Sequence, residues 1–501
     1  MEAALIRVEA DVAGGLPRFT IVGLPDGAVR EAAERVRAAV KRGGFEWPAG
    51  RITVNLAPAS LRKSGAGLDL AIALAILGAS GVLPPRGLAG TAFLGELSLS
   101  GDVRPVSGAL AVARAVAQNG TSRLLTAAGC AREAALVPAL KVYPVASLTA
   151  AVELLRGEGE KPSPAHCEVV QLLARGGKAG GPDLAEVRGQ GQARRALEVA
   201  AAGGHNLLLY GPPGSGKTML ARRLPGLLPA PTLEEALEIT QIASCIGLGS
   251  SAGLVARRPF RAPHHTLTPA ALVGGGVPPR PGEISLAHGG VLFLDELPEF
   301  GRRVLDLLRQ PLEERAVVLN RAGRTAVFPA CFQMVAAMNP CACGYLGDPV
   351  RTCICTPHAV ARYRGRISGP LLDRIDLQVE VPRPAPTDLH DTNEGEGSER
   401  VRSRVEAARA RQMARYAHVA TAVTGRLDGA SVRRLCRPTD AGGRLLVQAM
   451  TRLALSARAH DAILKVAQTL ADMAGLPQAG PSQIAEAVAF RGLDRLPANE
   501  V

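Results

Sequence analysis

Eight residues constrain this chain more than its composition does: Gly211-Pro212-Pro213-Gly214-Ser215-Gly216-Lys217-Thr218, placed directly after the apolar run Asn206-Leu-Leu-Leu-Tyr210. The spacing G-x-x-x-x-G-K-[ST] between a strand and a helix is that of a phosphate-binding loop. Its glycines let backbone N–H groups wrap phosphate oxygens at a helix N-terminus, where the helix dipole also favours negative charge. Lys217 is then expected to reach the β- and γ-phosphates, and Thr218 to ligate Mg²⁺. A chance Gly-rich turn would have to match the spacing and both flanks together.

A second apolar run, Gly290-Val-Leu-Phe-Leu, ends in Asp295-Glu296. Two adjacent acids at a strand end suit a nucleoside-triphosphatase: Asp295 holds Mg²⁺ while Glu296 polarises the attacking water. A solvated acidic turn is the plain alternative, and the phosphate loop upstream argues against it. A third run, Met334-Val-Ala-Ala-Met338, ends in Asn339-Pro340. In AAA+ ATPases such a residue is sensor 1, and this resemblance puts Asn339 beside the γ-phosphate. Gly369-Pro-Leu-Leu-Asp-Arg374-Ile-Asp-Leu resembles the arginine-finger stretch of the MCM and magnesium-chelatase branches, and Ser456-Ala-Arg458 resembles sensor 2. For Arg374 and Arg458 the competing reading is a surface salt bridge.

At 501 residues the chain has room for about three domains. An α/β block over 1–155 and a Gly/Pro-rich linker over 156–182 are expected first. An ATPase core with a doubly wound parallel sheet over 183–384, a polar linker over 385–398 and a helical lid over 399–501 follow. The 56 Gly and 37 Pro are just under a fifth of the chain, too few for a low-complexity protein. The start lacks a basic segment followed by a long apolar core, and Leu70–Leu83 is too short to span a bilayer. A soluble, cytoplasmic protein with no membrane partner is expected. A net charge of +13 suggests a polyanion, nucleic acid above all, although solvated basic faces would give the same sum.

Several further stretches carry a resemblance across nearly the whole chain. They are Gly23-Leu-Pro-Asp26, Gly50-Arg-Ile-Thr-Val-Asn-Leu-Ala-Pro-Ala59, Arg261-Ala-Pro-His-His-Thr266, Val273-Gly-Gly-Gly276, Pro281-Gly-Glu-Ile-Ser-Leu-Ala-His288, Asn339-Pro-Cys-Ala-Cys-Gly344 and Tyr363-Arg-Gly-Arg-Ile-Ser-Gly-Pro-Leu-Leu-Asp-Arg-Ile-Asp376. With them the chain resembles the ComM/YifB family of magnesium-chelatase-like AAA+ proteins. The resemblance implies a Lon-protease-like N-terminal domain, a central AAA+ ATPase using ATP and Mg²⁺, and a helical C-terminal domain. It also implies a hexameric ring with helicase activity that drives branch migration of DNA during natural transformation. Family members carry about one more strand before the segment found here. The alternative is the ATPase motor subunit of a magnesium-chelatase-like complex. Proteolysis is disfavoured: Gly65 stands where Lon carries its nucleophilic Ser, Ser107-Gly-Ala-Leu110 offers no Lys for the base, and Lys63 beside Ser64 does not make a nucleophile–base pair.

Between the acidic pair and Asn339, Ala316–Phe328 has two β-rich arms about a Gly-containing turn, a hairpin tipped by Arg321 and Arg324. In the MCM-like branch such a hairpin enters the ring channel. Arg257–Thr266 through Pro279-Arg280, with Arg261 and Arg280, occupies the position of that branch's helix-2 insert. Both would grip phosphates of single-stranded, double-stranded or branched DNA without regard to sequence. A structural or intersubunit role for His264 and His265 is equally open. Finally, Cys341, Cys343, Cys353 and Cys355 supply four thiols within fifteen residues, enough for a structural tetrahedral Zn²⁺, although the C-x-C spacing is tight. Reduced cysteines packing a loop are the other possibility.

Overall fold

The computed structural model describes residues 3–63, 65–158, 162–178, 181–321, 324–385, 395–418 and 423–495. Ser64 and the hairpin tip Ala322-Gly323 lie outside them. The chain forms two compact units. One contains Met1–Gly176, Thr232–Ala256 and Gly276–Arg280; the other contains Gly177–Pro231, Arg257–Gly275 and Pro281–Val501.

In the first unit, β1 (Arg7–Ala13), β2 (Arg18–Val22) and β3 (Arg51–Ala57) form a sheet in the order β1-β3-β2, with β1 antiparallel and β2 parallel to β3. Helix Gly27–Arg42 starts at Asp26, whose carboxylate accepts the Val29 amide at 2.9 Å, and it buries Val29, Ala32, Val36, Ala39 and Val40 on one face. Helix Asp69–Ala79 is apolar on every side and is accordingly buried nearly all round. Its first residue, Asp69, is held by Arg35 through contacts of 2.7 and 3.1 Å. β4 (Thr91–Leu94), β7 (Arg123–Thr126) and β8 (Lys141–Pro144) make a parallel sheet beside the hairpin of β5 (Glu96–Leu97) and β6 (Val103–Arg104). No helix among the described residues is long and apolar enough to cross a membrane.

Residues 232–256 are flanked in sequence by stretches of the second unit, yet they fold with the first. Helix Leu233–Cys245 opens on a capping box between Thr232 and Glu235. Its Ala236, together with Leu254 and Ala256, closes a cluster with Leu110, Leu136 and Cys167. Ser244 Oγ accepts the Gly108 amide at 2.9 Å, and Gln241 accepts from Arg114 at 3.0 Å. Leu110 is fully buried with its amide on Glu133 at 2.7 Å, and the buried Lys63 ammonium is taken up by the Pro58 carbonyl. Neither is disposed as a protease base.

The second unit is built on β9 (Leu207–Tyr210), β10 (Phe260–Arg261), β13 (Val291–Leu294), β16 (Gln333–Met338) and β17 (Leu377–Glu380). The short strands β11 (Gly274–Gly275) and β12 (Arg280–Pro281), and the hairpin strands β14 (Ala316–Arg321) and β15 (Arg324–Pro329), fall between them in sequence. The sheet runs β10-β13-β16-β9-β17, all parallel. Every residue of β9, β13 and β16 is buried, as expected of parallel strands covered on both faces. This is a doubly wound parallel sheet, and helices of the same unit form a lid after it in sequence. The lid helices are Ser398–Arg415, Asp440–Leu453, Ala457–Met473 and Pro481–Ala489.

Because Leu254 is 3 % exposed within the first unit's core, Leu254→Ala should destabilise that unit by about 2–4 kcal/mol. Hydrogen exchange should report it as lost protection in helix Ala109–Gln118, and unchanged protection there would show that the inserted segment does not support the unit.

Candidate nucleotide site

Three strands of the second unit end side by side. Leu294 pairs with Ala336, and Met338 pairs with Tyr210, so Asp295, Asn339 and Gly211 follow at the same carboxyl-terminal edge. Open parallel sheets bind ligands at that edge. The Gly211 amide donates to the Met338 carbonyl at 3.2 Å, which ties the phosphate loop to the strand carrying Asn339. Gly211 is obligatory, since a Cβ there would meet the Val381 carbonyl at 2.0 Å. Gly216, at φ 94°, caps helix Lys217–Leu227 without a side-chain acceptor and leaves its first amides free. Ser215 Oγ is buried without a hydrogen-bond partner among the described residues. A loop with free amides and an orphan hydroxyl is suited to an oxyanion.

Lys217 is 9 % exposed, and its ammonium is bound by the carbonyls of Gly211 at 2.7 Å and Pro212 at 2.9 Å and by Asn339 Oδ1 at 3.3 Å. Burial lowers its pKa to about 8, against the pull of Asp295 and Glu296 in the opposite direction. Thr218 Oγ1 donates to Asp295 Oδ2 at 2.7 Å. Two oxygens so close fit neighbouring corners of an octahedral Mg²⁺ shell, whose edge is about 3 Å at the usual bond length.

Glu296 follows in the left-handed region, at φ 53° and ψ 48°, with its amide on Asp295 Oδ1 at 3.0 Å. Its carboxylate is half exposed and lies 3.5 Å from His265 Nδ1. His265 in turn stacks on His264 and meets the Phe300 ring edge-on. The histidine pair thus stands against the residue expected to polarise water. Tyr363, 7 % exposed, has its phenol pushed up to about 12 by burial and receives the Asn339 amide. It lies in a stretch quoted above without a role.

The two remaining arginines sit elsewhere. The Arg374 guanidinium is bound by Glu313 and by the Pro370 carbonyl, and its Nε is buried without a partner among the described residues. Arg458 pairs with Asp373 at 3.1 Å, next to Arg374. Of the expected DNA contacts, Arg261 is engaged by Glu283 through two bonds of 2.6 and 2.7 Å, while Arg280 is exposed. Arg321 and Arg324 face each other in the register of β14 and β15, flanking the tip.

The cysteine cluster follows Asn339 directly. All four Sγ atoms lie within 4.8 Å of one another, with Cys341, Cys343 and Cys353 at mutual distances of 3.4–3.6 Å. Four sulfurs on a tetrahedron around Zn²⁺ would be about 3.8 Å apart, so the set needs little adjustment to accept the ion. Desolvation opposes ionisation of Cys343, yet amides of Tyr345 and Ile354 and the neighbouring thiols bring it down to about 6. Gly344, at φ 86°, packs on Pro213 so closely that a Cβ would come within 2.9 Å of that ring. The cluster therefore rests on the phosphate loop.

Comparison with known proteins identifies the fold as an AAA+ doubly wound sheet with a helical lid, preceded by a Lon-protease-like α/β domain. The profile described as magnesium chelatase, subunit ChlI matches residues 183–389. Its companions, subunit ChlI of Mg-chelatase and magnesium chelatase, subunit ChlI C-terminal, match 8–129 and 395–491. The chain is 44% identical over 498 residues to competence protein ComM of Haemophilus influenzae, covering 99% of this chain and 96% of that protein. It is 44% identical over 500 residues to the uncharacterized protein YifB of Escherichia coli, again 99% and 96%. Lon protease 2 of Bacillus subtilis is 32% identical over 152 residues, 27% of this chain and 26% of that one.

As the expected phosphate ligand, Lys217 should make nucleotide binding pH-dependent. Its charged form is the one expected to hold the phosphates, and burial lets that charge be lost as pH rises past about 8. Triphosphate affinity should fall above pH 8 by up to about tenfold per pH unit until the bound-state pKa is reached. A fluorescent-nucleotide titration between pH 7 and 9.5 measures this; a flat profile would remove Lys217 as the charged ligand.

Proposed function

The chain belongs to the ComM/YifB family of magnesium-chelatase-like AAA+ proteins, and on that premise we propose that it is an ATP-driven ring-forming DNA motor. Its task in this reading is branch migration in homologous recombination during natural transformation, with a hexamer as the working form and the cytoplasm as its place. The observation that carries the reading is the path of the chain between catalytic strands. β13 ends in Asp295 and Glu296, β16 ends in Asn339, and between them the chain makes the hairpin of β14 and β15 with Arg321 opposite Arg324. A hairpin that ends in two basic residues suits a phosphate backbone, whose charge dominates nucleic-acid affinity.

The chemistry follows from the site. Lys217 and the loop amides orient the triphosphate, and Thr218 with Asp295 holds Mg²⁺. Mg²⁺ held by Thr218 and Asp295 would supply charge neutralisation at the phosphates. Glu296 positions the attacking water, and Asn339 links Lys217 to the γ-phosphate end of the pocket. Arg374 serves as the finger for the neighbouring subunit, so that turnover requires the ring, and Arg458 reports lid position. Contacts to DNA come from Arg321, Arg324 and Arg280 and are electrostatic, hence salt-sensitive. Arg261 acts through Glu283 and keeps the insert in shape.

Wild type, Glu296→Gln and Arg321→Ala/Arg324→Ala should separate these parts on a three-stranded branched DNA. Wild type should move the branch with ATP. Glu296→Gln should bind ATP and assemble but lose turnover by at least about a hundredfold, as loss of a water-positioning base does. The double Arg variant should bind DNA more weakly and with a flatter salt dependence. The second reading, a chelatase-type motor, is favoured by the profiles that match, and ATPase activity indifferent to DNA would decide for it.

The four cysteines are assigned to one structural Zn²⁺: four protein ligands leave no open position for substrate. Elemental analysis of the purified protein should give about one zinc per chain, lost in Cys343→Ser; a metal-free, fully folded protein would return the cluster to reduced thiols.

A further inference from the structure

The segment that carries Arg374 is held from behind. Asn206 Nδ2 donates to the Arg374 carbonyl at 2.9 Å, and Arg491 donates to the Ile375 carbonyl at 2.9 Å. Asp376 is 7 % exposed, and its carboxylate meets His205 Nδ1 at 2.8 Å. His205 is fully buried at the entry to β9, and its other nitrogen, Nε2, lies 2.8 Å from Thr469 Oγ1 on the lid helix Ala457–Met473. Thr469 Oγ1 also lies 3.0 Å from the Lys465 carbonyl one turn back on the same helix, so the hydroxyl is held from both sides. Nδ1 faces a carboxylate, which accepts. The ring thereby joins the finger segment to the lid.

The same lid helix touches the segment a second time, where Arg458 near its start pairs with Asp373. The lid thus grips both sides of Arg374, at Asp373 and, through His205, at Asp376. The buried bonds of His205 permit little slack, because leaving any partner unsatisfied costs about 1–3 kcal/mol; the pair of Arg458 with Asp373 is exposed.

We propose that His205 is a positioning residue for the arginine finger: with Asp376 and Thr469 it transmits the position of a subunit's own lid to the Arg374 it offers its neighbour. The proposal rests on the reading of Arg374 as a finger acting in trans. Nucleotide in one site sets that lid, the lid sets residues 373–376, and those set the activity of the next site around the ring. His205 touches neither nucleotide nor Mg²⁺, so its own site keeps its binding groups when the link is cut.

Subunit mixing tests this. Arg374→Ala subunits keep a competent site but offer no finger, whereas Glu296→Gln subunits have a dead site but an intact finger. Mixed rings of the two should regain ATPase activity that neither has alone. Adding His205→Asn or Thr469→Val to the Glu296→Gln donor should cut the regained activity at least tenfold. Nucleotide affinity and ring assembly of that donor should stay unchanged. Equal rescue by altered and unaltered donors would overturn the role of His205. Rescue absent even with the unaltered donor would instead overturn the finger reading, and the positioning role with it. If His205→Asn donors do not assemble, Thr469→Val, which removes a single hydroxyl, decides alone.

Discussion

A buried ammonium with no carboxylate at ion-pair distance among the described residues organises the second unit. Lys217 is enclosed by two carbonyls and a side-chain amide, dipoles that bind a cation more weakly than an anion does. Isolated charge in such a place is costly unless it is paired. The fold supplies the enclosure while Asp295 and Glu296 act on the charge only partly against burial, so a phosphate that enters would stabilise it further. Sheet register is what makes this arrangement possible. A shift of one residue between β9 and β16 would carry Asn339 away from Lys217 and turn buried side chains to the wrong face.

The same sheet explains why the site can be sensed at a distance. β17 lies beside β9, and its first residues continue the finger segment, so Asp376 and Leu377 belong to the scaffold as much as to the loop. The Gln378 amide donates to the Phe490 carbonyl of the lid, and Gln333 holds the His205 carbonyl at 2.6 Å. Polar groups buried together in this way are satisfied only in one arrangement. They bond the sheet base to the lid, while Arg374 Nε and Gln378 Oε1 stay buried without a partner among the described residues.

What was legible in the sequence is what is encoded locally. The phosphate loop, the acidic pair after β13, Asn339 after β16 and the hairpin each occupy a few consecutive residues with their own periodicity, and the strands that carry them lie where that periodicity predicts. Helix Gly27–Arg42 was equally readable from Asp26 and the apolar spacing that follows. The partners of single residues were not readable. That Arg261 answers to Glu283, Arg458 to Asp373 and His205 to both Asp376 and Thr469 depends on packing between segments up to 264 residues apart. The inserted helix Leu233–Cys245 was hidden for a related reason. Its capping box announces a helix, but nothing in thirteen residues says which core it will complete.

That insertion bears on how the protein comes into being. Residues 1–176 leave the ribosome first, yet the cluster around Leu110 and Leu136 is closed by Ala236, Leu254 and Ala256. At a synthesis rate of about 5–20 residues per second, the missing piece arrives roughly 4–16 seconds later. During that interval the nascent first unit exposes the apolar side chains that Leu254 will cover, and it does so while the phosphate loop is still being made. Folding order in this protein is thus set by translation: the earlier-made unit is the one that must wait.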